Sequence, residues 1–321
     1  MTSPASFMIS SDHLNATVLP LGATLSAVRF GADGPNLVLG FPDVADHAHI
    51  PAYSGALVGP VANRIRDGVA SIQGKTHQLA ANEASGACLH SGPNGLHALV
   101  WTVQKRTPSS IVLEIDLADG AQGLPGNRWL SAQYSIHDTT LRLDLQATTD
   151  RTTLMNVAPH PYWNLDQSRD IANHSLWIAA KRYLPVDDAN LPTGAVLETS
   201  GTTFDFSSPR SIPLEPWLDV NFCLADRPFD HPRRAATLTG VKGGRLNIET
   251  TAPGLQVYNG HFLPQIDHML ENGRPLGPHA GIALEPQMWP DAPHHADFPS
   301  ILLHPGAIWQ QTTLYHLTPP K

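Results

Sequence analysis

The sequence predicts an all-β protein, and three observations carry that prediction. Apolar and polar residues alternate with a period of two in several short runs. Helical periodicity is weak throughout. Turn-forming residues punctuate the chain closely: 29 of 321 residues are proline and 25 are glycine. That proline share is nearly twice the usual ~5% and leaves little room for long helices.

Taken in order, the first clear strand is Ile111-Val-Leu113-Glu-Ile115-Asp-Leu117, with apolar odd positions and polar Glu114 and Asp116 between them. The stretch from Ala118 to Asn127 is rich in Gly, Asp and Pro and reads as a loop. Tyr134 to His137 reads as a strand running into a turn at Asp138-Thr-Thr140. Leu141-Arg-Leu143-Asp-Leu145-Gln146 repeats the alternation. Leu255 to Tyr258 and Ile282 to Glu285 are further strands. In the last, Ile282 and Leu284 take the core side, while Ala283, Glu285 and Gln287 share the other. Pro286 is expected to end ladder donation there. The stretch Asp226 to Arg234 is loop-like without dividing the chain, and no repeat recurs at a fixed period. One domain over residues 1–321 is expected.

Composition narrows the function classes. Hydrophobic residues make up 41% and charged residues 15%, against a typical charged share of about 25%, so the chain is too apolar for disorder. Its length suffices for a large core. The formal charge is −8, from 28 acidic and 20 basic residues. With no basic run to grip phosphates, nucleic acid is not an expected partner. No apolar run approaches a membrane span, and residues 1–10 lack the basic start and long apolar core of a signal peptide. Cys88 and Cys223 are too few for a disulfide framework. The expectation is a cytoplasmic protein with reduced thiols, a monomer or homodimer, binding a neutral or weakly polar small molecule.

Several segments carry candidate chemistry. His160 lies in Met155-Asn-Val-Ala-Pro-His160-Pro-Tyr162-Trp163-Asn164-Leu165, and Glu285 in Ile282-Ala-Leu-Glu285-Pro-Gln287. A histidine holds or releases a proton near neutral pH. A glutamate across a small substrate does the reverse, and two moving protons are all that sugar-ring opening needs. The bland readings are one loop histidine among 17 and a solvated strand-end glutamate. Flanking prolines favour an extended His160 and limit its freedom. Asn63 and Arg64, in Val61-Ala-Asn63-Arg64-Ile65, offer several donors to sugar hydroxyls; the alternative for Arg64 is a surface salt bridge. His90 lies in Leu89-His90-Ser91-Gly92, and such glycine-rich loops are common. Asp219, in Leu218-Asp219-Val220-Asn221-Phe222, can accept from two adjacent hydroxyls or simply cap a turn. Gln256, in Pro253-Gly254-Leu-Gln256-Val-Tyr258, would face the site beside Tyr258 or face solvent. Trp163 is either a platform for a sugar face or a packed core aromatic. The histidines form no His-Glu-x-x-His or Cys/His pattern, so no metal is expected. Gly92-Pro-Asn-Gly95 lacks the Lys-Ser/Thr of a phosphate loop.

In order and spacing these segments resemble the aldose 1-epimerase (mutarotase) family. The likeness runs from Gly55 to Thr313 and includes Asp188-Ala-Asn-Leu-Pro192-Thr-Gly194 and Trp289-Pro-Asp291-Ala. It implies a large antiparallel β-sandwich of the galactose mutarotase-like type, with a concave sugar-binding face and no cofactor. It implies Glu285 as the general base at the anomeric hydroxyl and His160 as the general acid at the ring oxygen. Asn63, Arg64, His90, Tyr162, Asp219 and Gln256 would bind the aldose. Pro60, Pro159, Pro161, Val220 and Pro286 depart from the family pattern. They are expected to alter the site walls, which leaves hexose, pentose and deoxy sugar all open. Two other readings are a sugar-binding protein that does no chemistry and a glycosidase. The first has no need of an acid/base pair. The second needs two carboxylates flanking a scissile bond, and the His160/Glu285 pair fits ring opening better.

Overall fold

The alternating runs of the sequence become neighbouring antiparallel strands. In the computed structural model, which describes residues 6–267 and 269–320, the strands Ser110–Leu117, Arg128–His137 and Thr140–Thr149 lie side by side. Their registers set Ile115 opposite Leu130 and Leu130 opposite Ala147. Residues two apart share a face, so Ile111, Leu113, Leu130, Tyr134, Leu143 and Leu145 all enter the core. Among the described residues this is the largest sheet, with nine strands. One of them, Trp309–Thr318, pairs with Thr140–Thr149 on one side and Arg245–Thr250 on the other.

A second sheet of six described strands runs in the order Tyr162–Trp163, Ile282–Gln287, Gly254–Tyr258, Asp219–Cys223, Arg182–Tyr183, Leu197–Glu198. One face buries Ile282, Leu284, Leu255, Val257, Val220 and Phe222 in the same core as the larger sheet, against residues such as Ile248 and Tyr315. The two sheets therefore form a sandwich with a shared apolar interior. The other face carries Glu285, Gln256, Tyr258 and Asp219, brought into register by the pairs Gln256↔Glu285 and Asp219↔Tyr258.

Pro286 has no N–H to donate, as expected, yet its strand runs on past it. The ladder with Gly254–Tyr258 continues through Leu255↔Pro286 to Gly254↔Gln287. On the opposite side the partner strand reaches only Ala283, so proline's missing donor falls where there is a neighbour on one side only. The strand Arg233–Thr239 also takes up the last two residues of the expected loop. Among the described residues, α-helix is confined to Asp46–His49, and no helix is long and apolar enough to cross a membrane. Residues 1–5, part of the segment read for a leader, lie outside the described residues.

Candidate active site

A cavity of about 310 Å³ opens on the polar face of the six-stranded sheet. Its floor holds His160 and Glu285, which are only 4% and 2% exposed. His160 Nε2 lies 3.5 Å from Glu285 Oε1. Glu285 is fixed by the centre of its strand. His160 follows the strand Ala158–Pro159, and its backbone is pinned twice: its N–H donates to Ala56 O at 2.9 Å and its carbonyl accepts from Gly55 N–H at 3.0 Å. Gly55 accepts no side chain, because a Cβ would meet Leu25 O at 2.1 Å and its φ is +76°.

Asn63 and His90 hold each other. His90 N–H donates to Asn63 O at 2.9 Å, and Asn63 N–H donates to His90 Nδ1 at 3.1 Å. Both take left-handed backbone, with φ of 61° and 54°, a conformation that Asn and His tolerate better than most residues. Because Nδ1 accepts, the neutral ring carries its proton on Nε2. Arg64, next along, starts a short strand paired with Cys88–Leu89. Its Nε and Nη2 donate to Glu83 at 2.7 and 2.9 Å, and its Nη1 donates to Asp219 Oδ2 at 3.2 Å. Asp219 Oδ1 accepts from Gln256 Nε2 at 2.6 Å.

Burial sets the protonation of the floor. It pushes the Glu285 carboxyl well above the usual carboxylate range, with Asp219 adding to the effect and Arg64 opposing it. Burial pushes His160 down, to about 4. His90 is also driven down by burial, aided by the neighbouring His160. Burial works against the charge of Arg64, but Asp219 and Glu83 outweigh it and raise its pKa. Ligand atoms of His90, His160 and Glu285 lie within 4.8 Å of one another, a grouping that could suggest a metal. The tautomer argues against that set: His90 Nδ1 is occupied by the Asn63 N–H, which leaves a proton, not a lone pair, on Nε2.

Of the residues singled out in the sequence, Asn63, Arg64, His90, His160, Tyr162, Asp219 and Glu285 line this one cavity. Gln256 does not. It is buried, and its amide donates to the Asp219 carboxylate on the adjacent strand. Trp163 is fully buried in the core against Tyr315, so it offers no platform. The expected effect of the five departures on the walls also fails. None of Pro60, Pro159, Pro161, Val220 or Pro286 lines the cavity, and Val220 belongs to the core. Lining residues that the sequence did not single out include Tyr53, Glu83, Asn190 and Phe262. Tyr53 packs edge-on to His90, with ring centroids 4.7 Å apart. Glu83 sits in a plain polar loop that carries no motif.

Comparison with known proteins gives a consistent picture. A family profile described as aldose 1-epimerase matches residues 6–316. The chain is 34% identical to the galactose mutarotase of Rattus norvegicus, over 96% of this chain and 92% of that protein. It is 31% identical to the aldose 1-epimerase of Escherichia coli K12, over 93% and 90% respectively. A crystal structure of a GalM/aldose epimerase homologue from C. elegans superposes with a TM-score of 0.91 at 30% identity, covering 99% of this chain and 100% of that one. The galactose 1-epimerase of Lactobacillus acidophilus superposes with a TM-score of 0.83 at 27% identity, covering 98% and 95%. With its fold and nearly its whole length matched in this way, the chain belongs to the aldose 1-epimerase family.

Proposed function

We propose that this protein is a mutarotase that interconverts the α and β anomers of a free, neutral aldose by opening and reclosing the ring. The observation that carries this is the buried His160–Glu285 pair at 3.5 Å. The reaction moves protons at two oxygens on one carbon, and two proton carriers side by side at the floor of a small cavity can serve both. Glu285 takes the proton of the anomeric hydroxyl while His160 gives one to the ring oxygen; the aldehyde turns, and the roles reverse on closure. Burial raises the pKa of Glu285 and lowers that of His160, which places the pair's proton on Glu285. The roles begin once that proton passes to His160, where the imidazolium is a strong acid and the freed carboxylate a strong base. The pair works as one unit that shares a proton.

His90, as a fixed Nε2–H donor, meets an acceptor oxygen of the sugar. Tyr162, Asn63, Arg64 and Asp219 supply further donors and acceptors, and Gln256 steadies Asp219. The positive charge of Arg64 is met by Glu83 and Asp219. Among the described lining residues Arg64 is thus committed to carboxylates and not free for a phosphate, which favours a neutral sugar. We carry forward, as part of the same proposal, one domain over the chain, a cytoplasmic setting, and the absence of nucleic-acid and membrane partners.

The test is polarimetry, or anomeric NMR exchange, on freshly dissolved α-sugars: galactose, glucose, arabinose, xylose and fucose. Faster equilibration with any of them supports the proposal and ranks its substrates. Sugar binding without acceleration across the panel would favour a binding protein that does no chemistry.

A further inference from the structure

We infer that Glu83 is a positioning residue for sugar recognition: it holds Arg64, and through Arg64 the Asp219 carboxylate, in the geometry that meets the sugar hydroxyls. This deepens the mutarotase reading of the cavity and rests on it. A guanidinium has five N–H donors in a rigid plane. Three of those in Arg64 are assigned: two reach the two oxygens of Glu83, at 2.7 and 2.9 Å, and one reaches Asp219 at 3.2 Å. The side chains of Arg64, Glu83 and Asp219 are only 11%, 21% and 12% exposed, so water does little to weaken these bonds. The two-point contact fixes both the position and the plane of the fork, which a single-point contact cannot do.

The loop that carries Glu83 is tied to the strand that carries Arg64. The Asn82 side chain donates to Leu89 O at 3.1 Å and accepts from Leu89 N–H at 2.7 Å. Leu89 is in turn the ladder partner of Arg64. Glu83 and Arg64 therefore move as one piece. From there a row of polar contacts runs through Asp219 to Gln256, the cross-strand neighbour of Glu285. Without Glu83 the fork loses two of its three bonds and is free to turn fully onto Asp219. Asp219 then spends on Arg64 the lone pairs that would otherwise accept from the sugar. Neither His160 nor Glu285 is bonded to Glu83, so the chemical step is left in place.

The test is a double-mutant cycle with Glu83→Ala, Glu83→Gln, Arg64→Ala and Arg64→Ala/Glu83→Ala. It is read by mutarotation kinetics and by calorimetric affinity for the member of the sugar panel that binds the wild type most tightly. Glu83→Ala should raise KM and Kd about tenfold with kcat within about threefold; Glu83→Gln should fall between it and the wild type. In the Arg64→Ala background the further loss of Glu83 should change affinity by less than about twofold. An unchanged affinity in Glu83→Ala overturns the inference. So does a full tenfold loss in the Arg64→Ala background, since Glu83 would then act on the sugar or the fold without Arg64. If melting reports that Glu83→Ala is unfolded, Glu83→Gln keeps the side-chain shape and carries the test. Should the wild type bind sugar without accelerating mutarotation, the mutarotase reading falls and the affinity cycle still decides the role of Glu83. Should it bind no sugar of the panel, both fall.

Discussion

The two faces of the six-stranded sheet are built from alternate residues of the same strands, yet they do opposite work. One face, with Leu284, Val257, Leu255 and Phe222, is wholly apolar and buried against the larger sheet. The other, set by the alternate residues, carries buried Glu285 and Gln256 and half-buried Asp219, and Glu285 and Asp219 line the cavity. Burying apolar area stabilises the fold by roughly 25 cal/mol per Å². Burying carboxyls and amides works against it unless each is bonded. The polar face is thus carried by its apolar reverse, and the strain it bears appears as the opposed pKa shifts of Glu285 and His160. A one-residue slip of register would exchange the faces and destroy both.

That division can be broken from either side. The largest effect is expected from Glu285→Gln, which keeps the shape and removes the base. Turnover should vanish on polarimetry while sugar affinity stays within about tenfold, and near-normal turnover would remove Glu285 from the mechanism. His160→Ala should cost on the order of 10²-fold or more in kcat. If it is silent while Arg64→Ala costs more, the acid is another group. The pH profile sharpens the comparison further. His160 takes its proton only as pH falls to about 4, because burial resists its charge. Above that pH the pair keeps an acceptor; below it both members are protonated and no base is left. The kcat/KM of the wild type should therefore hold through the ordinary imidazole range near ~6.5 and fall toward about 4. A half-maximal point near 6.5 would contradict the buried pair. On the apolar face, Leu284→Ala should lower stability by about 2–5 kcal/mol in denaturant unfolding. It should leave kcat within a few-fold at low temperature, and a large loss of kcat in a folded variant would mean that the faces are not independent.

Much of this was legible in the sequence because alternation reports faces directly. The runs 111–117, 141–146 and 282–285 gave strands and sides, and the resemblance to the aldose 1-epimerase family implied seven of the cavity residues. Alternation does not report lateral reach. Gln256 faces the correct side, but its amide ends on Asp219, which only the register of neighbouring strands determines. Val220 follows Asp219 in sequence and so looked like a wall residue, although in a strand adjacent residues point to opposite faces. Glu83 was hidden for a different reason. Its reach to Arg64 depends on a loop folding back so that Asn82 grips Leu89, a contact with no period and no motif.

The mooring of His160 has a consequence far along the chain. Gly55, whose N–H donates to the carbonyl of His160, accepts at its own carbonyl from Leu25 N–H at 2.8 Å, and Leu57 N–H donates to Gly22 O at 2.9 Å. The imidazole is thus tethered through one relay of backbone bonds to the Thr24–Phe30 strand and through another, by way of Ala56 and Leu57, to Gly22 just before it. Of the described residues before Ile50, none lines the cavity. Trimming that amino-terminal ribbon would nonetheless cast the proton carrier adrift, with every lining side chain still encoded.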